Sequence, residues 1–392
     1  MARFVYADNS ATTPVSKEVL DAMMPYFTDK FGNPSSIYKL GRDTAKELLE
    51  YRTRIAELIG AKPSEIYFTG CGSESDNWAI KGAAHAGVKK GKHLITTVFE
   101  HHAVLNTMKS LEKEGFEVTY LPVDKDGQIS PKQLEEAIRP DTTLVAIMYA
   151  NNEIGSVLPI KELAAVAKAH KVTFFTDAVQ AVGNVPVNVE DLGVDMLALS
   201  GHKIHTPKGI GMLYIRTGVR CLNLIDGGGQ ERGKRAGTEN IAYIAGLTKA
   251  LEVAIGRLPE MDRVKKMRDR LATELAKIPY SVINGGMEKR LPGNLNIAFR
   301  FIEGESLLLM LDHEGICAST GSACSSNSLE PSHVLLSIGL PVETAHGSLR
   351  ISLSHENTEE DIDYIIEKLP EVVKKLRRMS PLYDEAKYGK LD

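Results

Sequence analysis

Apolar and polar positions alternate along this chain in two distinct ways. Between about residues 60 and 215, short and almost wholly apolar runs recur at Ile66–Thr69, Leu94–Val98, Val118–Leu121, Leu144–Tyr149, Val172–Thr176, Met196–Leu199 and Met212–Ile215. Runs of that length, rich in β-branched and aromatic residues, read as strands buried on both faces. Between two of them Ile160, Leu163, Ala164 and Ala167 fall at helical spacing. Strand and helix in repeated succession predict an α/β fold, a mainly parallel seven-stranded sheet with helices on both faces. Beyond Gly246 the pattern changes. Val264, Met267, Leu271, Leu275 and Ile278 share one helical face within residues 262–278. Hairpin-like runs follow at Asn294–Arg300 and Ser348–Leu353, and Thr358 with Asp361 marks the start of a C-terminal helix. This second part reads as a smaller α+β domain, joined to the first near residue 260.

The 392-residue length agrees with two domains, because single cores stop growing at roughly 250–300 residues. A net charge of −4 gives no electrostatic signature of a nucleic-acid or membrane-surface binder. The opening MARFVYADNS lacks the apolar stretch of a signal peptide, and no apolar run is long enough to span a bilayer. A cytoplasmic protein with reduced thiols is expected. Cys71, Cys221, Cys317 and Cys324 are scattered without a CxxC pair, which removes the common zinc and thioredoxin patterns. Cys324 stands in residues 318–328, ASTGSACSSNS, a stretch of small side chains only. Such a stretch buries too little to order itself firmly.

Three signals follow predicted strands, where parallel α/β sheets place ligands. Gly70-Cys71-Gly72-Ser73-Glu74-Ser75-Asp76-Asn77 leads into a helix. It could cradle a phosphate at the helix start, or be a tight turn capped by Ser73 or Ser75. Asp177 follows the apolar Val172–Thr176, and a carboxylate there needs a positive partner, such as a protonated ring nitrogen, unless it is a simple cap or salt bridge. Lys203, in Ser200-Gly201-His202-Lys203, could serve as an amine nucleophile or be an ordinary surface lysine. The His202–His205 spacing makes a poor metal site, and no metal is expected. Together a phosphate cradle, a buried Asp and a following Lys are what pyridoxal 5′-phosphate (PLP) requires.

The chain then resembles the cysteine desulfurases of the NifS/IscS family, PLP enzymes of fold type I. The resemblance runs through Ala7-Asp8-Asn9-Ser10-Ala11-Thr12-Thr13, Phe31-Gly32-Asn33-Pro34-Ser35-Ser36, Glu100-His101-His102-Ala103-Val104, Asn151-Asn152-Glu153-Ile154-Gly155, Ser200-Gly201-His202-Lys203, Glu231-Arg232-Gly233, Gly321-Ser322-Ala323-Cys324 and Leu329-Glu330-Pro331-Ser332. It implies a large PLP-binding domain of residues 15–260 and a small domain of residues 1–14 and 261–392 that carries Cys324. It further implies that Lys203 holds PLP as a Schiff base and moves the Cα proton, that Asp177 faces the pyridine nitrogen, and that Gln180 faces the phenolic oxygen. His101 would stack on the ring and assist proton transfer as a catalytic residue, with Asn152 beside it. Gly72, Ser73, Ser200 and His202 would bind the phosphate, helped by Thr238 of a neighbouring subunit in a homodimer. Arg350, with Asn152, would hold the carboxylate of L-cysteine. Cys324 would take the sulfur as a persulfide and pass it to an acceptor such as an Fe–S scaffold, contacting a cluster only in passing. Ser73 stands where many relatives have Thr, and Cys71 where they have a small residue. A related aminotransferase or selenocysteine lyase, and a non-catalytic scaffold, are the competing expectations.

Overall fold

The computed structural model describes residues 3–321 and 331–389. Seven strands make one sheet, in the order Ile66–Thr69, Gly211–Ile215, Met196–Ser200, Thr173–Asp177, Thr142–Ala146, His93–Thr97, Glu117–Leu121. Six run in the same direction, and only Gly211–Ile215 is antiparallel to its neighbours. Successive residues of a strand point to opposite faces, and the sheet is apolar on both. Leu197, Leu199 and Phe174 pack on one side with Ile55, Leu163 and Ile244 from three helices. Met196, Ala198 and Phe175 pack on the other with Trp78 and Met108. Burying both faces is why the strands read as continuous apolar runs.

Three sequence expectations change in detail. The strand expected at Leu144–Tyr149 occupies Thr142–Ala146; the apolar residues beyond it remain buried but leave the ladder to form the wall of a crevice. The runs near 294 and 348 do pair antiparallel, Asn294–Phe299 against Ser348–Ser352. They are not a hairpin, because the helix Gly304–His313 lies between them in the chain. In the strand-to-helix turn neither Ser73 nor Ser75 caps the helix Gly72–Gly87: Cys71 does, its Sγ accepting from Glu74 N–H at 3.4 Å. Ser75 is instead fully buried, its hydroxyl 2.7 Å from that of Thr69.

A separate apolar core joins Val5 and Ala7 to the helices Met261–Leu275 and Glu359–Met379 and to the strands Asn294–Phe299 and Ser348–Ser352. The capping box at Thr358 forms in both directions, Thr358 N–H to Asp361 at 3.1 Å and Asp361 N–H to the Thr358 hydroxyl at 3.4 Å. Such a cap stabilises a helix by about 1 kcal/mol. The consequence of the whole arrangement is positional: the carboxyl ends of the parallel strands face the strand that carries Arg350, and the crevice between them is the natural ligand site.

Candidate active site

That crevice is a cavity of about 180 Å³, and its wall includes Gly72, Ser73, His101, Asn152, Asp177, Gln180, Ser200, His202, Lys203 and Arg350. Residues spread over almost 280 positions of sequence meet there because each follows a strand end or lies on the facing strand.

At one end lies the turn that leads into the helix Gly72–Gly87. Gly72 opens its helix, and a Cβ there would stand 2.9 Å from Val179 Cγ2 and 3.2 Å from Ser200 Cβ, so only glycine fits without displacement. The first N–H groups of the helix are unpaired within it and carry its positive dipole end, which suits an anion. Glu74 braces the turn, accepting from Gly70 N–H at 2.7 Å and from Arg235 at 2.7 and 3.1 Å.

At the other end Asp177 terminates its strand. Its Oδ1 accepts from Val179 N–H at 2.9 Å. Burial pushes the carboxyl up to about 6, with the nearby Lys203 opposing the rise. Above that pH it is an anion. Lys203 donates from Nζ to the carbonyls of Ser10 and Ala11 at 2.6 and 2.7 Å. Gln180 donates to the same Ser10 carbonyl at 3.0 Å. The segment after Asn9 thus fixes both side chains. His202 Nδ1 lies 3.2 Å from the Thr12 hydroxyl, while His205 Nδ1 turns to the Pro14 carbonyl, so the two rings do not share a partner.

His101 caps the helix His102–Lys113, its Nδ1 accepting from Ala103 N–H at 3.1 Å. Burial, then the positive Lys203, lowers it to about 4, and the ring is neutral at working pH. With Nδ1 accepting, the ring proton sits on Nε2, which is then a donor. Accepting a proton at Nε2 would require the opposite tautomer and loss of the cap bond. Its neighbour Glu100 fixes the loop, accepting from Met148 N–H at 2.9 Å and from the Thr97 hydroxyl at 2.6 Å.

Arg350 is 1% exposed. Its Nη2 donates to Asp8 at 2.8 Å and its Nη1 to the Asn152 carbonyl at 3.1 Å. Its buried Nε has no partner among the described residues, a donor left for a ligand acceptor. Asp8, Glu100 and a further buried carboxyl, Asp76, were not among the residues singled out from sequence. Asp8 and Arg350 are 342 positions apart, and no local pattern announces such a pair. Thr238 is exposed and is not part of the cavity wall. Cys324 lies outside the described residues. Cys221 is buried, its thiol pushed up to about 12, which makes it a packing residue.

An anion cradle that admits no Cβ, a buried carboxylate at a strand end and a lysine amine in one cavity fit PLP. Residues 5–365 match the family described as Aminotransferase class-V. The chain belongs to that family, and the class its fold and site define is the PLP-dependent enzymes of fold type I. Within it, the chain is one of the cysteine desulfurases of the NifS/IscS kind. It is 57% identical over 379 residues to the cysteine desulfurase IscS of Methanosarcina thermophila, covering 96% of this chain and 94% of that one. A solved NifS-like protein superposes with a TM-score of 0.90 at 40% identity, over 95% of this chain and all of that one. SspA, solved in complex with cysteine, superposes with a TM-score of 0.79 at 40% identity, over 90% and 100% of the two chains.

Proposed function

We propose that this enzyme converts L-cysteine to L-alanine, that Cys324 receives the sulfur as a persulfide, and that an acceptor protein such as an Fe–S scaffold then takes it. One observation carries the reading: the Lys203 amine, the Asp177 carboxylate and the unpartnered Nε of Arg350 converge on one cavity. PLP, when bound, supplies the electron sink for charge developing at the substrate Cα.

The side chains around it have separable tasks. Gly72, Ser73, Ser200 and His202 hold the phosphate, and Asp177 keeps the ring nitrogen protonated by offering it a buried anion. Gln180 and Asn152 fix the ring plane. Arg350 holds the substrate carboxylate, with Asp8 and the Asn152 carbonyl fixing the guanidinium plane. Lys203 would hold the cofactor through its amine and, with that amine free, would be the group that removes the Cα proton of the substrate. His101 packs against the ring and donates from Nε2. The Cys324 thiolate attacks the substrate sulfur: an S–S bond forms, the Cβ–S bond breaks with its electron pair on carbon, and one proton delivered to Cβ and one returned to Cα complete alanine.

The same reading includes a homodimer in which Thr238 of one subunit reaches the phosphate of the other. Phe27, Phe31, Ile37 and Tyr38 are all exposed, Ile37 at 88%, and apolar side chains of this size are commonly covered by a partner. It also includes a PLP-binding domain of residues 15–260, a smaller domain of residues 1–14 and 261–392, and a cytoplasmic location where the thiol stays reduced. No helix among the described residues is long and apolar enough to cross a membrane. The test is product analysis. With L-cysteine, the native enzyme should release equal amounts of alanine and sulfide under reducing conditions, and Lys203→Ala neither. Cys324→Ala should keep the cofactor's visible absorbance but release almost no sulfide. Unchanged sulfide release from Cys324→Ala overturns the proposal.

A further inference from the structure

Asp76 belongs to the helix that begins at the phosphate turn, and it is the acidic group that the reaction described above does not use. It is 1% exposed, lies in the wall of the cofactor cavity, and its Oδ1 has no hydrogen-bond partner among the described residues. The charged and titratable groups that face it are Asp177 at the end of its strand, Glu100 in the loop before His101, and Cys71 at the helix cap. Lys203, His101 and His202 line the same cavity from other elements. Two of its three nearest titratable neighbours are carboxyls, and a buried carboxyl so surrounded keeps its proton. A protonated carboxyl is a donor, and a buried donor without an acceptor is an uncommon and costly arrangement. The open space before it is the cavity proposed to hold PLP.

We propose that Asp76 is a further cofactor-binding residue, a neutral carboxylic acid whose O–H donates a hydrogen bond to PLP held against Asp177. This rests on the PLP reading of the cavity and extends it to a residue with a different task. Asp177 contributes charge, whereas Asp76 contributes a proton and leaves Asp177 the one anion at that end. The arrangement works against stability. Burial and the Asp177 charge raise the Asp76 carboxyl well above the usual carboxylate range. The sign follows: its contribution is fully present below the unfolded value and is lost as pH rises toward the folded one. At neutral and alkaline pH, Asp76 therefore costs the cofactor-free protein stability, which is what a group retained for binding is expected to do.

The test compares the native enzyme with Asp76→Leu and Asp76→Asn, each purified as holoenzyme. PLP affinity is measured by dialysis against graded PLP, and melting is followed with and without saturating PLP at pH 6 and 9. Leu matches the volume without a donor, and affinity should fall at least tenfold. Asn restores a donor, and affinity should return to within about threefold of native. Without PLP, both variants should melt above the native protein, and by more at pH 9 than at pH 6. Native-like PLP affinity in Asp76→Leu, or affinity equally low in Asp76→Asn, overturns the proposal. So does a lower melting temperature of both variants without PLP, which would make Asp76 a structural residue. Failure of the native enzyme to bind PLP would instead overturn the cofactor reading itself.

Discussion

Replacing Arg350 by lysine isolates the geometry of the carboxylate site from its charge. The guanidinium is buried, and its two Nη atoms are held by Asp8 at 2.8 Å and the Asn152 carbonyl at 3.1 Å, leaving Nε without a partner among the described residues. A lysine ammonium can reach Asp8 or a substrate carboxylate, but it cannot keep one plane facing both. The substitution therefore preserves the positive charge and removes at least one charge-assisted hydrogen bond to substrate, worth about 1.5–3 kcal/mol. At 1.4 kcal/mol per factor of ten, that corresponds to a rise of about 10- to 100-fold in KM for L-cysteine. The effect on kcat should be smaller, because the thiol and the proton-transferring lysine are untouched. Initial rates of alanine formation over a range of L-cysteine give both constants, and the cofactor spectrum reports whether the PLP site is intact. Asp8→Asn supplies a second arm, since it leaves Arg350 in place but frees the guanidinium plane, and KM should rise there too. A KM within twofold of native in Arg350→Lys, with a normal cofactor spectrum, would refute the reasoning.

Three other outcomes follow from the same coordinates. Gly72→Ala brings a methyl within 2.9 Å of Val179 and 3.2 Å of Ser200; overpacking of this kind costs about 1–3 kcal/mol, and PLP affinity by equilibrium dialysis should weaken by at least a factor of ten. PLP binding should also weaken as pH falls through about 6, where Asp177 takes up its proton and no longer offers an anion to the ring nitrogen; an affinity flat from pH 8 to 5 would count against that pairing. Alkylation with iodoacetamide should reach the exposed Cys71 well before the buried Cys221, whose thiol lies at about 12, and peptide mapping over a time course gives the order.

The large sheet was readable because both of its faces are buried: strands such as Met196–Ser200, apolar at nearly every position, stand out from their surroundings. Direction was not readable. Gly211–Ile215 runs against its neighbours, and an apolar run looks the same in either sense. Asp177, Lys203 and Gly72 could be picked out because each follows a strand, where a polar residue or a glycine interrupts the apolar pattern. Asp76 gave no such signal, for an acidic residue one turn into a helix is ordinarily on its solvent side. It is buried here because that turn of helix faces the cavity. The Arg350–Asp8 pair escaped for another reason: it joins a C-terminal strand to an N-terminal loop beside the second apolar core, and only the folded chain brings them together.

The central claim concerns one sulfur atom. The holoenzyme, freed of reductant and given L-cysteine labelled with heavy sulfur, should be trapped by alkylation and digested for mass spectrometry. The account predicts one labelled sulfur added to the peptide containing Cys324, with none on those containing Cys71, Cys221 or Cys317. Label on any other cysteine, or alanine formed with no labelled persulfide on the chain, would contradict it.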